Sequence, residues 1–275
     1  MTVDAIWRYP VKSMAGESLP TLMFGERGGS GDRSFALVDQ TSGRVASAKL
    51  PRRWGRLIDC AAWLTADGAV PTLNVRLPDG TVLAGPAPAL DRALTDLLSA
   101  PVSLTGTVPT GAEIDRYWPD VEGLALRDTE TTGPIAAAAP GTFFDYAPVH
   151  LITTAALATM QAERPGIALD ARRFRPNIVI DAEPGDDPFP ENHWVGRDLV
   201  IGDVRLRVSA PTPRCVVPTL SHGTLSPDPG LLRRIAVRNT VAIPAAGGAA
   251  MPCLGVYATV VSPGVISAGD TVRLI

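Results

Sequence analysis

Short apolar segments separated by turns run along almost the whole chain, and this spacing constrains the fold more than any other sequence feature. The 275 residues include 26 glycines and 26 prolines, which interrupt helices and end strands. Residues 3–9 predict a strand that ends at Pro10. The turn residues 78–80 (Pro-Asp-Gly) predict a hairpin between 73–77 and 81–84. The pattern indicates a mainly β protein of the α+β type.

Helical periodicity is confined to a few short segments. Residues 89–98 place four leucines on one face, and 153–163 predict a helix capped by Thr153. A third short helix is expected at 228–238. The chain has no regular strand–helix–strand alternation and no glycine-rich nucleotide-binding motif, which excludes a doubly wound nucleotide-binding sheet. We therefore expect two β-barrel-like units with a few short helices.

Further strand pairs are expected along the chain. One hairpin-like pair would join 34–39 to 45–48, and another would join 199–201 to 204–208. Between about 106 and 145 the sequence is rich in glycine, proline and alanine, which predicts a long connection with little regular structure. This connection is either a linker or an active-site loop. It divides the chain into predicted domains at 1–106 and 107–275.

The charge balance and the cysteines exclude several classes of protein. The chain has 28 acidic and 25 basic residues, a net charge of −3, which argues against a nucleic-acid binder or a polybasic membrane binder. No run of about 18 apolar residues predicts a membrane-spanning helix, and the N-terminus lacks a signal-peptide pattern. Three widely separated cysteines fit neither a disulfide framework nor a CxxC metal site. We expect a soluble protein in a reducing compartment, the cytoplasm.

Four polar segments lie where a purely structural role would favour apolar residues. Each could bind an anion through its cations, or could be an ordinary solvated loop or ion pair. They are 9–13 with Lys12 and Ser13, 31–34 with Arg33, 172–177 with Arg172, Arg173, Arg175 and Asn177, and 211–218 with Arg214 and Cys215.

Cys215 carries the most reactive side chain in these segments. Prolines at 211, 213 and 218 make its loop rigid, and the neighbouring Arg214 favours the thiolate. A thiolate can act as a nucleophile or as a ligand for a soft metal. The alternative is a small buried apolar residue, the role we expect for Cys60 and Cys253.

The order of these segments, more than any one of them, resembles the MOSC superfamily. The residues that carry the resemblance are YPVKS, GDRSF, FRPNIVI, RCVVPT and the C-terminal GVYATVVSPGVISAGD. The similarity covers nearly the whole chain, including the N-terminal MOSC-associated β-barrel domain. Within this superfamily, the chain is similar to the amidoxime-reducing proteins. It implies that Cys215 ligates molybdenum and is the catalytic residue. The residues implied to bind the pterin cofactor are Lys12, Ser13, Arg33, Arg175, Asn177, Arg214 and Tyr257.

The resemblance implies an oxidoreductase that uses molybdenum cofactor (Mo-molybdopterin) to reduce N-hydroxylated or N-oxide-type small molecules. Electrons would come from a separate reductase, ferredoxin or cytochrome-type carrier, since the chain has no iron–sulfur cysteine cluster and no flavin motif. The sequence departs from the amidoxime-reducing proteins beside the implied metal: Pro213 stands where a hydroxyl residue is common, and 218–222 read PTLSH. Both departures concern substrate choice. His222 could be a proton donor or a merely exposed loop residue.

Three alternatives remain open at this level. The protein could carry the cofactor or a persulfide on Cys215 without redox turnover. It could be a hydrolase that uses Cys215 as nucleophile with His150 or His222 as base. It could also be a scaffold that has lost its ligand.

Overall fold

The computed structural model describes residues 1–65, 71–122, 127–135, 139, 141–183, 185, 187–243 and 247–275. Most of the regular structure in these ranges is strand. The strands are β1 (Thr2–Arg8), β2 (Glu17–Leu19), β3 (Thr21–Gly25), β4 (Gly28–Gly29), β5 (Ala36–Asp39), β6 (Ala61–Thr65), β7 (Thr72–Arg76), β8 (Val82–Gly85), β9 (Val102–Thr105), β10 (Glu113–Trp118), β11 (Thr129–Pro134), β12 (Val149–Thr153), β13 (Ile178–Asp181), β14 (Asp198–Ile201), β15 (Val204–Pro213), β16 (Thr240–Ile243), β17 (Ala249–Ser262), β18 (Gly264–Ser267) and β19 (Val272–Leu274).

The helices in the described ranges are few and short. The α-helices are α1 (Pro51–Trp54), α2 (Pro88–Leu98), α3 (Thr154–Ala162) and α4 (Leu231–Arg238). Four short 3-10 helices in these ranges cover Gly55–Asp59, Ala171–Arg173, Pro190–Trp194 and Val217–Thr219. No helix in this part of the chain combines the length and the apolar character needed to span a bilayer.

One nine-stranded sheet organises the molecule. Its order is β19-β14-β15-β17-β12-β13-β1-β2, with β16 paired to β17. Only β12 and β13 run parallel, and α3 joins them in the crossover that a parallel pair requires. Every residue of β12 is buried, as expected for a strand covered on both faces. The first core lies against this sheet and combines Val3, Ile6 and Phe24 with Leu151 and Val256.

A second core lies among the smaller sheets of the N-terminal half. Leu90, Leu94 and Leu98 of α2 are buried against Leu73 and Val75 of the β6-β7-β8 sheet. The remaining small sheets are β5-β9, β10-β11 and β18-β3-β4. In the last of these, β3 from the N-terminal half pairs with β18 near the C-terminus.

The mainly β, α+β fold expected from the sequence is confirmed. The barrel-like shape was only partly right, because none of the sheets in the described ranges closes on itself. The expected helices occur at 88–98, 154–162 and 231–238, and Thr153 caps α3 by accepting a hydrogen bond from the Ala156 amide. The hairpins at 72–85 and 198–213 are also present.

One local expectation was confirmed only in part, and another was wrong. Residues 34–39 and 45–48 form a short antiparallel pair, with the bridge Val38 to Val45 and a 2.8 Å hydrogen bond from the Ala46 amide to the Leu37 carbonyl. Along its length, β5 pairs instead with β9, a partner that no local turn signal reveals. The connection at 106–145 contains a two-stranded sheet, β10-β11, whose registered pair runs from Glu113–Pro134 to Trp118–Thr129. Residues 123–126, 136–138 and 140 of that connection lie outside the described ranges.

Candidate functional site

One cleft at an end of the large sheet brings together all eight residues that the sequence implied for the site. Five neighbouring strands (β15, β17, β12, β13 and β1) contribute to it, because their pairing sets the end of β1 and of β15 beside the starts of β12 and β13. The residues that line the cleft include Lys12, Ser13, Arg33, Arg175, Asn177, Arg214, Cys215 and Tyr257.

Cys215 lies in the loop between β15 and the 3-10 turn at 217–219, and its thiol is partly exposed. Pro213 ends β15, and Pro218 lies in the first turn of the 3-10 helix, where its fixed φ is favourable. The Thr219 hydroxyl closes the turn by donating to the carbonyl of Val216 at 2.7 Å. The loop is thus held from both sides and presents the thiol to the cleft.

Arg173 binds the backbone of the loop that carries Cys215. Its side chain is almost fully buried and donates to the carbonyl oxygens of Leu220 at 3.0 Å and Ser226 at 2.5 Å. A further contact reaches the carbonyl of Pro218 at 3.4 Å. Arg173 therefore orders the loop that carries Cys215.

Arg214 is also used mainly as an internal anchor. Its guanidinium donates to the carbonyls of Leu254, at 2.8 Å from Nε, and Phe174, at 3.2 Å. Its Nη2 lies 2.5 Å from Nε2 of His150, so this ring nitrogen must act as the acceptor. Burial and the charge of Arg214 hold the pKa of His150 well below its usual range. His150 is therefore neutral and engaged with Arg214.

Lys12 and Lys49 share one carboxylate, Asp145. Lys12 Nζ donates to Asp145 Oδ1 at 2.6 Å and to the carbonyl of Phe143 at 2.8 Å, and Lys49 Nζ lies 3.1 Å from Oδ2. Burial lowers the pKa of Lys12 to about 8, against the opposing effect of Asp145. Burial also opposes the charge of Lys49, but Asp145, Cys215 and Tyr257 together outweigh it, and the pKa of Lys49 is raised. Burial raises the pKa of Asp145, but the two ammonium groups outweigh this effect and keep that pKa well below its usual range.

Arg33 and Arg175 approach the buried ring of Tyr9, with guanidinium carbons 4.5 and 4.4 Å from the ring centroid. Arg33 pairs with Asp32 at 2.5 Å and donates to the carbonyl of Arg175. Arg175 donates to the carbonyl of Met14 and pairs with no carboxylate in the part of the chain that the structure describes. Burial, and then the charge of Arg33, lower the pKa of Arg175 to about 10.

Asn177 joins three segments at the floor of the cleft. Its Oδ1 accepts from the His150 amide at 3.1 Å, and its Nδ2 donates to Asp32 Oδ2 at 2.9 Å. Asp32 in turn accepts from the Tyr9 amide at 2.7 Å. Asn177 and Asp32 thereby fix β12, β13 and the Gly31–Arg33 turn relative to each other.

The backbone of the cleft is strained at three of its residues. Ser13, Arg33 and Arg175 have φ of 67°, 44° and 56°, in the left-handed region that costs non-glycine residues about 1–3 kcal/mol. In the described ranges only Ser99 and Asp128 share this property. Strain of this kind persists where surrounding contacts hold it, and it concentrates at functional sites.

The cleft has a large excess of positive charge. Its lining contains six cations, Lys12, Arg33, Lys49, Arg173, Arg175 and Arg214, and one carboxylate, Asp145. Buried like charges are costly unless an anion sits among them. A phosphate-bearing ligand meets this requirement, and the thiol of Cys215 supplies one soft metal ligand. The residues present therefore fit molybdenum cofactor.

The described residues contain no cluster of three or more His, Cys, Asp or Glu side chains placed to hold a metal ion. Cys215, which lines the cleft, is the residue that the sequence resemblance implies as the metal ligand.

Sequence reasoning missed Lys49 and Asp145, and it named Arg173 only as one of the arginines of the segment 172–177. Lys49 could have been found, because Lys12 and Lys49 are the only lysines in the chain and both line the cleft. Asp145 and Arg173 lie in segments rich in other signals, and nothing in their local sequence separates a cleft residue from a surface residue. Their position depends on contacts more than 40 residues away.

The two histidines considered as bases, His150 and His222, both make hydrogen-bond contacts with groups other than Cys215. His222 is buried, and its Nε2 lies 3.0 Å from the carbonyl of Val217. Burial, opposed only in part by that carbonyl, lowers the pKa of His222 to about 4. No hydrogen bond in the described ranges joins Cys215 to His150 or His222, so the geometry does not favour a cysteine–histidine hydrolase.

Comparison with protein-family models places two matches along the chain. The model described as the MOSC domain matches residues 139–273. The model described as the MOSC N-terminal beta barrel domain matches residues 1–121. The cleft draws residues from both matched regions, since Lys12 and Arg33 lie in the first and Cys215 and Tyr257 in the second.

Among curated proteins, mitochondrial amidoxime reducing component 2 of Rattus norvegicus is 36% identical over 90 residues. Those residues are 33% of this chain and 23% of the relative, so the match spans about a quarter of the relative's length. Among solved structures, the YUAD protein from Bacillus subtilis aligns over 99% of this chain and 94% of its own, at 10% identity and a TM-score of 0.44. YiiM from Geobacillus stearothermophilus aligns over 47% and 54%, at 20% identity and a TM-score of 0.33.

Proposed function

This chain belongs to the MOSC superfamily, and from that premise we propose that it is a molybdenum-cofactor-dependent oxidoreductase acting on N-hydroxylated or N-oxide-type small molecules. Family membership associates the chain with molybdenum cofactor in general. The observation that carries the proposal is the single partly exposed thiol, Cys215, in a cleft lined by six cations and one carboxylate.

Each group of residues has a defined task in this proposal. Cys215 would be the protein ligand to the metal. Lys12, Arg33 and Arg175 would neutralise the phosphate of the pterin, and Asn177 and Ser13 would hold its surroundings in place. Ser13 already accepts a hydrogen bond from the Ala48 amide at 3.0 Å, which fixes the loop that carries Lys12. Preorganised cations of this kind lower the cost of binding an anion.

The overall reaction takes two electrons and two protons: an N–OH group becomes N–H and one molecule of water leaves. When bound, molybdenum cofactor supplies the two-electron transfer. The electrons come from a separate carrier protein, a reductase, ferredoxin or cytochrome-type donor. Burial raises the pKa of Tyr257 to about 12, so its hydroxyl keeps its proton and can donate a hydrogen bond to the substrate oxygen.

Metal content tests the proposal most directly. Molybdenum per chain would be measured by elemental mass spectrometry for the wild type, Cys215→Ser and Cys60→Ala, all expressed in a host that makes the cofactor. Cys60 is a buried thiol in the second core, so Cys60→Ala controls for the loss of a cysteine. We expect near-stoichiometric metal in the wild type and in Cys60→Ala, and little in Cys215→Ser.

Two results would contradict the proposal. If none of the three well-folded proteins contained molybdenum, the proposed cofactor would be wrong. Metal without turnover of any N-hydroxylated compound, when a chemical reductant is supplied, would favour a carrier role. Release of thiocyanate from Cys215 by cyanide would then identify the persulfide form of that carrier.

A further inference from the structure

A second cavity of about 400 Å³ opens beside the cationic cleft. The two cavities share a wall, whose residues are Lys49, Asp145, Pro213, Arg214, Cys215 and Tyr257. Cys215 therefore faces both spaces. A molecule in the second cavity would reach the Cys215 thiol from the side opposite a ligand in the cationic cleft.

The second cavity is walled by apolar and aromatic side chains. Trp118 is held by a hydrogen bond from Nε1 to Thr131 Oγ1 at 2.8 Å, which fixes the ring on the β10-β11 sheet. Tyr146 and Tyr257 contact each other with ring centroids 5.4 Å apart, and Ile243 and Met251 complete the apolar surface. Such walls suit a flat, apolar ligand body.

The charge of this cavity favours an acidic group on that ligand. Lys49, Arg116 and Arg214 line it, against one carboxylate, Asp145. Lys49 and Arg214 are already engaged with Asp145 and with internal acceptors. Arg116 donates from Nη2 to the carbonyl of Pro134 at 2.7 Å and pairs with no carboxylate within the described ranges. Its remaining guanidinium N–H groups can meet a carboxylate in the cavity.

We propose that the second cavity is the substrate site and that Arg116 selects substrates carrying a carboxylate on a flat aromatic body. This inference rests on the proposed function, and it names the substrate class of that site. The aromatic ring would lie between Trp118 and the Tyr146–Tyr257 pair, with the N-oxygenated group towards Cys215 and the carboxylate at Arg116. Binding energy from this remote contact positions the reacting group.

The test compares two probes that differ only in the acidic group, benzamidoxime and 4-carboxybenzamidoxime. Binding to the molybdenum-loaded protein would be measured by titration calorimetry without an electron donor, so that no turnover occurs. We expect the carboxylated probe to bind at least about tenfold tighter, the range of one charge-assisted hydrogen bond. Arg116→Gln should abolish this preference. The matched control Arg92→Gln, an exposed arginine of α2, should retain it.

Two further measurements use groups of the same cavity. Quenching of Trp118 fluorescence by the carboxylated probe should disappear in Trp118→Phe. If Arg116→Gln does not fold, the wild type alone still provides a test. Its preference should shrink between low salt and about 0.5 M salt, because ions screen the contact of a partly exposed arginine.

Equal affinity for the two probes in the wild type would overturn the inference, as would a preference that persists in folded Arg116→Gln. These outcomes are separable from failure of the proposed function. Turnover of both probes without a binding preference would overturn the substrate class alone. If a protein without molybdenum or turnover still preferred the carboxylated probe, and this preference depended on Arg116, the redox function would be wrong. The carboxylate-binding site would then remain supported.

Discussion

Four of the six cationic side chains of the cleft fall into two groups at the residue scale. Arg173 and Arg214 donate hydrogen bonds mainly to backbone carbonyls, and these bonds hold the Cys215 loop and β17 in place. Lys12 and Lys49 share one carboxylate, Asp145, and Lys12 also donates to the carbonyl of Phe143. The second group therefore has charge left for a ligand, although sequence reasoning assigned Arg214 to the cofactor on the same terms as Lys12.

Cofactor binding is expected to depend on pH through Lys12. Because burial lowers the pKa of Lys12 to about 8, its ammonium is charged below pH 8 and lost above it, while a phosphate stays anionic. The affinity for the phosphate-bearing cofactor should fall by up to about tenfold per pH unit above pH 8. Molybdenum retention after dialysis, measured between pH 7 and 9.5, checks this.

The conservative variant separates charge from structure in that experiment. Lys12→Arg keeps the positive charge throughout this pH range, so retention should become flat between pH 7 and 9.5. The other charged groups that face Lys12 are Asp145, Lys49 and Arg33. Asp145 has a lowered pKa and Lys49 a raised pKa, so both keep their charge in this range. A wild-type profile as flat as that of Lys12→Arg would show that Lys12 does not bind the phosphate.

At the scale of elements, the 3-10 turn at 171–173 acts as a support for the Cys215 loop. Arg173→Met removes a buried guanidinium and leaves the partly buried carbonyls of Leu220 and Ser226 without this donor. We expect the free energy of unfolding to fall by about 2–3 kcal/mol. Denaturant titration checks this value.

The neighbouring Arg172→Met is the matched control. Arg172 is half-exposed and pairs with Asp170 at 2.7 Å, so its loss should change the free energy of unfolding by less than about 0.5 kcal/mol. Equal effects of the two substitutions would show that Arg173 does not support the loop. Cleavage by a protease near 220–226, faster only in Arg173→Met, would locate the change.

Elements formed by local contacts were predictable. The α2 leucines, the Thr153 cap and the Pro-Asp-Gly turn all act within a dozen residues, and each expected element is present. The pairing of β5 with β9 spans about 60 residues, and the β10-β11 strands lack strong alternation. Long-range pairing depends on side chains brought together only in the folded chain, so periodicity could not reveal it.

At the scale of the whole molecule, the large sheet draws strands from both ends of the chain. Within it, β1 pairs with β13 and β19 pairs with β14. In a separate small sheet, β3 pairs with β18. The first core likewise joins Val3, Ile6 and Phe24 to residues beyond 149. The division at 106 and 107 stays a prediction about sequence modules. The large sheet and the first core both extend across it.

This arrangement predicts one cooperative unfolding transition for the whole chain. A chain limited to 107–275 would lose β1 and expose the edge of β13 together with the apolar surface under Ile6 and Phe24. We expect it to lack a cooperative transition in denaturant and to aggregate on size-exclusion chromatography. Cooperative unfolding of that piece, with two transitions in the full chain, would contradict the prediction.

The amino-acid pattern was sufficient for the strand-rich class and for the three longer helices, because propensity and capping are local properties. The resemblance in motif order named eight residues, and the structure places all of them in one cleft. Tertiary structure decided which cations remain free for a ligand, that Lys49 and Asp145 belong to the cleft, and that a second cavity meets Cys215. These features arise where five strands from distant parts of the chain lie side by side. Burial and pairing there set each charge, and neither is encoded by neighbours in sequence.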